Sequence, residues 1–199
     1  QSRILDCQIT VDMEKKKTVC VYCASSVGND MDFIETARET GRRIARRQWR
    51  LLYGGACCGL MGILADAALS EGGEVHGIIP DFFKDYDFEV IHPNLSYLER
   101  VGTMSRRKEM LVAQADAFVA LPGSYGTLDE LFETLVLKQL QQIDKPIFLL
   151  NPKGFYDPVL AQLDKMQEAG YLQADNRALL QVIDSVDGLE KALGDYFGE

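Results

Sequence analysis

Long apolar runs are missing. Nothing in the 199 residues approaches the roughly 20 consecutive apolar residues that span a bilayer, so no membrane partner is expected. The opening stretch QSRILDCQITVDMEKKK has no uninterrupted apolar segment of signal-peptide length. Histidine is scarce. His76 and His92 are the only two, and neither belongs to a Cys/His/carboxylate set with ligand spacing, so no metal site is expected. Positive charge is in deficit, with 21 Lys and Arg against 30 Asp and Glu and a formal net charge of -9. Such a surface repels a phosphate backbone and argues against a nucleic-acid partner. The basic run Arg42, Arg43, Arg46, Arg47 and Arg50 reads as a solvated face or a subunit contact that ends a helix. The cysteines, Cys7, Cys20, Cys23, Cys57 and Cys58, are odd in number and too few for a disulfide scaffold. They read as reduced thiols, which points to a cytoplasmic compartment. Cys20 and Cys23 sit in an apolar run, where their spacing sends them to opposite faces of a strand.

What is present is an ordinary globular composition, 47% hydrophobic and 26% charged. A chain of this length buries a sufficient core without disulfides or metal. Residues 1–16 are set aside as an N-terminal extension or a leftover of expression, and residues 17–199 read as one domain. Short apolar runs alternate there with longer amphipathic stretches. Strands are expected at 18–24, 50–53, 74–79, 117–121, 146–150 and 179–183. Helices are expected from the end of the first glycine turn to about Trp49, and at 60–69, 103–115, 127–142, 155–169 and 186–197. Residues 81–100 look irregular. Apolar strands without in-and-out alternation, separated by helices, predict a parallel sheet covered on both faces. The fold class is therefore α/β, a single Rossmann-like doubly wound sheet.

Three loops share one construction of strand, glycine turn and helix start. They are Ser25-Ser-Val-Gly28, Gly54-Gly-Ala-Cys-Cys-Gly59 and Pro122-Gly-Ser-Tyr-Gly-Thr127. In a parallel sheet they lie at the carboxyl ends of the strands, where open α/β sheets bind ligands. Free amides at helix starts suit a phosphate. The loop at 54–59 has Walker-type glycine spacing, but Leu60 and Met61 stand where Lys and Ser/Thr are required. The first turn lacks the G-x-G-x-x-G fingerprint. NTP hydrolysis and nicotinamide chemistry both lose support.

Thr127-Leu-Asp-Glu130 fits a capping box, with Thr127 as N-cap and Glu130 reaching back. It also places Asp129 and Glu130 beside the phosphate turn, at the first helical turn. Met104-Ser-Arg-Arg-Lys-Glu-Met110 sets Met104, Lys108 and Leu111 on one helical face, with Arg107 at its margin. Arg107 either snorkels to water or aims a cation at a phosphate or a leaving base.

These motifs resemble the LONELY GUY (LOG) family of cytokinin-activating phosphoribohydrolases. Its P-G-G-x-G-T-x-x-E signature stands here as Pro122-Gly-Ser-Tyr-Gly-Thr-Leu-Asp-Glu130. Its R-K helix stands as Met104-Ser-Arg-Arg-Lys108, and its Y-G-G-G-x-x-G-L-M-G loop as Tyr53-Gly-Gly-Ala-Cys-Cys-Gly-Leu-Met-Gly62. Ser124 and Ala56 replace glycines of the pattern. The resemblance implies cleavage of a nucleoside 5′-monophosphate, a cytokinin nucleotide or AMP, to free base and ribose 5-phosphate. It implies Glu130 and Arg107 as catalytic residues. Gly123, Ser124, Gly126, Thr127, Lys108, Met104, Gly54, Gly55, Ser25 and Asp129 would bind substrate. It also implies at least a homodimer. The family is often labelled lysine decarboxylase, yet nothing in the sequence independently marks a pyridoxal phosphate site, and no cofactor is expected. The alternative is a binding module like the molybdenum cofactor carriers, which share the fold and hold a phosphorylated ligand without chemistry.

Overall fold

The computed structural model describes residues 16–85 and 91–199. The stretch set aside as an extension, with Cys7, lies outside the described residues, apart from Lys16. The elements run β1 (Thr18–Tyr22), α1 (Met31–Arg46), β2 (Arg50–Tyr53), α2 (Gly59–Ser70), β3 (Val75–Pro80), β4 (Tyr97–Val101), α3 (Met104–Gln114), β5 (Ala117–Ala120), α4 (Tyr125–Gln139), β6 (Ile147–Leu150), α5 (Asp157–Glu168), α6 (Ala174–Arg177), β7 (Leu180–Ile183) and α7 (Val186–Phe197). Short 3-10 turns at Asp81–Asp85 and Pro152–Gly154 follow β3 and β6.

The strands form one sheet in the order β4-β3-β2-β1-β5-β6-β7, and every neighbouring pair is parallel. β1 pairs with β2 from Thr18 opposite Arg50 and with β5 from Val19 opposite Ala117. The strand order therefore reverses between β1 and β5, which opens a crevice at their carboxyl ends. The glycine turns after β1, β2 and β5 all lie at that end of the sheet.

Side chains alternate across β1 as strand geometry requires. Val19 and Val21 join Ile44 of α1, Leu64 of α2 and Leu189 of α7 in one core layer. Cys20 and Tyr22 join Leu111 of α3, Leu131 of α4 and Leu163 of α5 in the other. Cys23 falls in the first layer and Cys20 in the second, the opposite faces that their spacing predicts. Among the described residues no helix is long and apolar enough to cross a membrane.

Three readings of the sequence are corrected. The stretch 81–100 holds a strand, β4, whose residues run exposed to half-buried before Val101 closes it. It is an edge strand, so burial leaves little trace in its sequence. The first helix stops at Arg46 rather than Trp49, because Gln48 adopts a positive φ of 59° that ends the helical path. α4 begins at Tyr125, ahead of Thr127. The arginines that end α1 face carboxylates. Arg42, Arg43, Arg46 and Arg47 pair with Glu35, Glu39, Glu71, Asp187 and Glu190, and Arg50 pairs with Glu74.

Candidate active site

α3 opens on Thr103, whose hydroxyl accepts the Arg106 amide at 3.1 Å. One turn later, α3 carries Arg107 inward. Arg107 is 8% exposed, and its Nε donates to the Ile78 carbonyl within β3, at 3.0 Å. Its Nη1 stands 3.2 Å from Oε1 of Glu130. A guanidinium with a backbone acceptor and a carboxylate partner in the interior is not reaching for water, so the snorkelling alternative falls. Room for it comes from Gly54. A Cβ there would sit 2.1 Å from Nη2 of Arg107 and 3.0 Å from Sδ of Met61. Met104 completes the surround, with Sδ 3.9 Å from Nη1.

Glu130 comes from α4, in its second turn. The N-cap is Ser124, with no side-chain cap bond, so Thr127 is the third helical residue and Glu130 the sixth. The capping-box reading is therefore wrong. Asp129 and Glu130 lie past the first turn, where the helix dipole has faded. Thr127 Oγ1 instead lies over Gly123, where a Cβ would stand 2.0 Å away. Glu130 is anchored through its backbone: Thr134 Oγ1 donates to the Glu130 carbonyl at 2.8 Å. That bond uses the one proton of Thr134, so the Tyr22 hydroxyl is the donor in its 3.0 Å contact with Thr134. Tyr22 and Thr134 were missed at the sequence level. The only available signal was the i+4 spacing of Thr134 from Glu130.

The charge of Glu130 is felt along β1. Burial pushes the Cys20 and Cys23 thiols well above the usual range, and the nearby Glu130 carboxylate pushes them further.

The glycine turns are wired together. The Ala24 amide donates to the Pro122 carbonyl at 3.3 Å. The Leu60 and Met61 amides of α2 donate to the carbonyls of Ser26 and Ala24, each at 3.3 Å. Those bonds spend two of the first amides of α2 on the β1 turn. At the start of α4 the amides of Tyr125, Gly126 and Thr127 have no acceptor among the described residues. Ser124 and Gly126 are exposed there, and a Cβ on Gly126 would meet nothing within 4 Å. These amides are the available anion cradle. Beside it lies a cleft of about 160 Å³ at the β1/β5 reversal, with Ser26, Gly123 and Ser124 on its polar side and Phe33, Leu60 and Phe155 on its apolar side.

The structure thus brings Arg107, Glu130, Gly54 and Met104 together, and sets Gly123, Ser124, Gly126 and Thr127 at the start of α4. Gly55 is buried with φ 83°, and its carbonyl accepts the His92 amide at 3.0 Å. Ser25 is exposed in the β1 turn. Lys108 and Asp129 engage each other: Nζ lies 3.0 Å from Asp129 Oδ2 and also pairs with Glu133. Hydrogen bonds to Glu133 first, and then to Asp129, raise the Lys108 pKa above its ordinary value.

A family model described as "Possible lysine decarboxylase" matches residues 61–193. A cytokinin riboside 5′-monophosphate phosphoribohydrolase of Arabidopsis thaliana is 37% identical over 187 residues, 94% of this chain and 87% of that protein. The chain belongs to the LOG family. The enzyme of the same name from Rhodococcoides fascians is 38% identical over 177 residues, 89% of each chain. Among solved structures, the molybdenum cofactor carrier protein of Chlamydomonas reinhardtii superposes with a TM-score of 0.69 at 22% identity, covering 93% of this chain and all of that one. That likeness concerns the fold. The decarboxylase description implies pyridoxal phosphate, which requires a lysine amine able to lose its proton. Lys108, which lies beside Glu130, is held protonated by Glu133 and Asp129. The residues of this LOG-family site do not fit that cofactor.

Proposed function

We propose that this chain hydrolyses the N-glycosidic bond of nucleoside 5′-monophosphates, cytokinin riboside 5′-monophosphates and AMP, releasing the free base and ribose 5-phosphate. The observation that carries this reading is the buried 3.2 Å contact of Arg107 with Glu130, set next to a helix start with unspent amides. The amides of Tyr125, Gly126 and Thr127 receive the phosphate, and Gly123 and Ser124 shape its approach. Ser25 and Met104 line the rest of the bound nucleotide, while Gly54 and Gly55 shape the turn that seats Arg107. Anchoring the phosphate converts remote binding energy into correct placement of the sugar.

Cleavage of the glycosidic bond builds positive charge on the ribose ring. Glu130, the anionic half of the ion pair, stabilises that oxocarbenium-like state and orients the attacking water toward C1′. Arg107 leaves part of its bond to Glu130 to meet negative charge on the departing base or the phosphate. The Ile78 carbonyl keeps the guanidinium in place through the exchange. Lys108 and Asp129 border the site and tie α3 to α4, which fixes the two helices that carry the catalytic pair.

A carrier of phosphorylated ligands builds no positive charge on its cargo, so it has no cationic transition state for a buried carboxylate to stabilise. That favours the hydrolase over the binding-module reading. The working unit is at least a homodimer in the cytoplasm. Tyr125, Phe132, Val136 and Leu140 expose an apolar stripe along α4, of the kind that a subunit contact covers.

Chromatography of reactions with AMP and with an N6-prenyl AMP tests the activity. The expected result is free base and ribose 5-phosphate in equal amounts. Absence of base from both substrates, with the protein folded, overturns it.

A further inference from the structure

The chain carries two consecutive half-buried thiols, Cys57 and Cys58, in the turn between β2 and α2. The other two described thiols contrast with them. Cys20 and Cys23 are buried in the two core layers, and burial raises both well above the ordinary thiol range. Reactivity requires thiolate and access, so the accessible sulfur chemistry of the described chain concentrates at 57–58.

That turn is a tight joint. Cys58 is the N-cap of α2, without a side-chain cap bond. The following Gly59 has φ 61°, and a Cβ on it would lie 2.2 Å from the Ser25 carbonyl carbon. The next two amides hold the Ser26 and Ala24 carbonyls, as described above. On the other side, Tyr53 donates its hydroxyl to the Ala56 carbonyl at 3.1 Å, and Gly54 makes room for Arg107. A change of geometry at 57–58 therefore reaches the β1 turn and the Arg107 seat together.

We propose that Cys57 and Cys58 form a redox modification site, at which a peroxide joins the two sulfurs and disturbs the turn that supports the active site. The chemistry balances. One thiolate attacks the peroxide O–O bond, giving a sulfenic acid and, with a proton, one water. The neighbouring thiolate displaces hydroxide from that sulfur, an S–S bond forms, and a second water leaves. Two electrons pass from sulfur to the peroxide. Adjacent Cα atoms across a trans peptide are about 3.8 Å apart, shorter than the roughly 4.4 Å at which ordinary disulfides begin. The oxidised ring must distort the peptide between them. A strained disulfide is also readily reduced, so the modification reverses with thiol. The effect on turnover rests on the hydrolase reading; the sulfur linkage and the loop disturbance do not.

Full-length protein treated with hydrogen peroxide is examined by peptide mass mapping and by hydrogen exchange. Expected are the loss of two hydrogens from the peptide that holds both sulfurs, faster exchange at the Leu60 and Met61 amides, and reversal by dithiothreitol. Base release falls by about tenfold or more in the oxidised protein. Cys57→Ser and Cys58→Ser each keep normal exchange and base release and resist peroxide. A peroxide effect in either variant as large as in the unaltered protein, a linkage to another thiol, or a 57–58 bond with unchanged exchange each overturns the proposal. If the reduced protein releases no base, the hydrolase reading fails while mass and exchange still decide this one.

Discussion

The absent side chain of Gly54 is the space that the Arg107 guanidinium occupies: a Cβ at residue 54 would lie 2.1 Å from Nη2. The β2 turn and α3 therefore pack closely here, and the Arg107 guanidinium can stand beside Glu130 only while residue 54 has no side chain. Gly54→Ala should fold, because the guanidinium is the flexible end of its side chain, but it should lose base release by about tenfold to a hundredfold. Circular dichroism and steady-state kinetics separate the two effects. An active Gly54→Ala would show that the position of Arg107 is not critical.

Gly123 plays the matching part for Thr127, with a Cβ falling 2.0 Å from Thr127 Oγ1. Under the proposed hydrolase reading, Gly123→Ala pushes the start of α4 out of register with the substrate phosphate. KM for AMP should rise by about tenfold, more than kcat falls, because the lost contact is to the anchoring group. An unchanged KM would place the phosphate elsewhere.

Tyr22 reaches Glu130 through Thr134. Tyr22→Phe keeps the ring in the core and removes the donor to Thr134. A loss of about 1 kcal/mol in stability is expected by thermal melting. A several-fold fall in kcat at unchanged KM should accompany it. A fall in stability alone would make Tyr22 purely structural.

Acid sensitivity follows from the arginine network. Hydrogen bonds from Arg43, from Arg46 and from Arg47 and Arg43 hold the carboxyls of Glu39, Glu71 and Glu190, respectively, below their ordinary value of 4.5. A carboxyl whose pKa is lower folded than unfolded adds stability above its unfolded value and loses it as pH falls through the folded one. Burial holds His76 below its ordinary value of 6.5, so Tm should decline slightly as pH falls below about 6.5 and more steeply below about 4.5. These pairs are partly solvated, so 1 M salt should shrink the neutral-pH stability only modestly. A steep decline already complete by pH 6 would point to another group.

The sheet was legible because its central strands are buried on both faces, as in the run Ala117-Phe-Val-Ala120. β4 was not legible, because an edge strand with Glu99 and Arg100 in its centre carries no burial signal. The motif loops announced a site at the strand ends, but not how they share their amides. The Leu60 and Met61 amides are spent on Ser26 and Ala24, a long-range contact with no local signature. Thr127 and Glu130 match the spacing of a cap, yet the helix starts earlier at Tyr125, across a glycine that propensity places outside it. The inward turn of Arg107 depends on Ile78, Gly54 and Glu130, all distant in sequence.

Glu130→Gln is the most direct test of the central claim, that one carboxylate and one guanidinium converge on a sugar phosphate. The substitution keeps the size of residue 130 and removes its charge. AMP affinity measured by calorimetry should stay within about threefold, while single-turnover base release falls by a factor on the order of 10² or more. Turnover within a few-fold of the unaltered protein would contradict the account and leave Glu130 as a structural partner of Arg107.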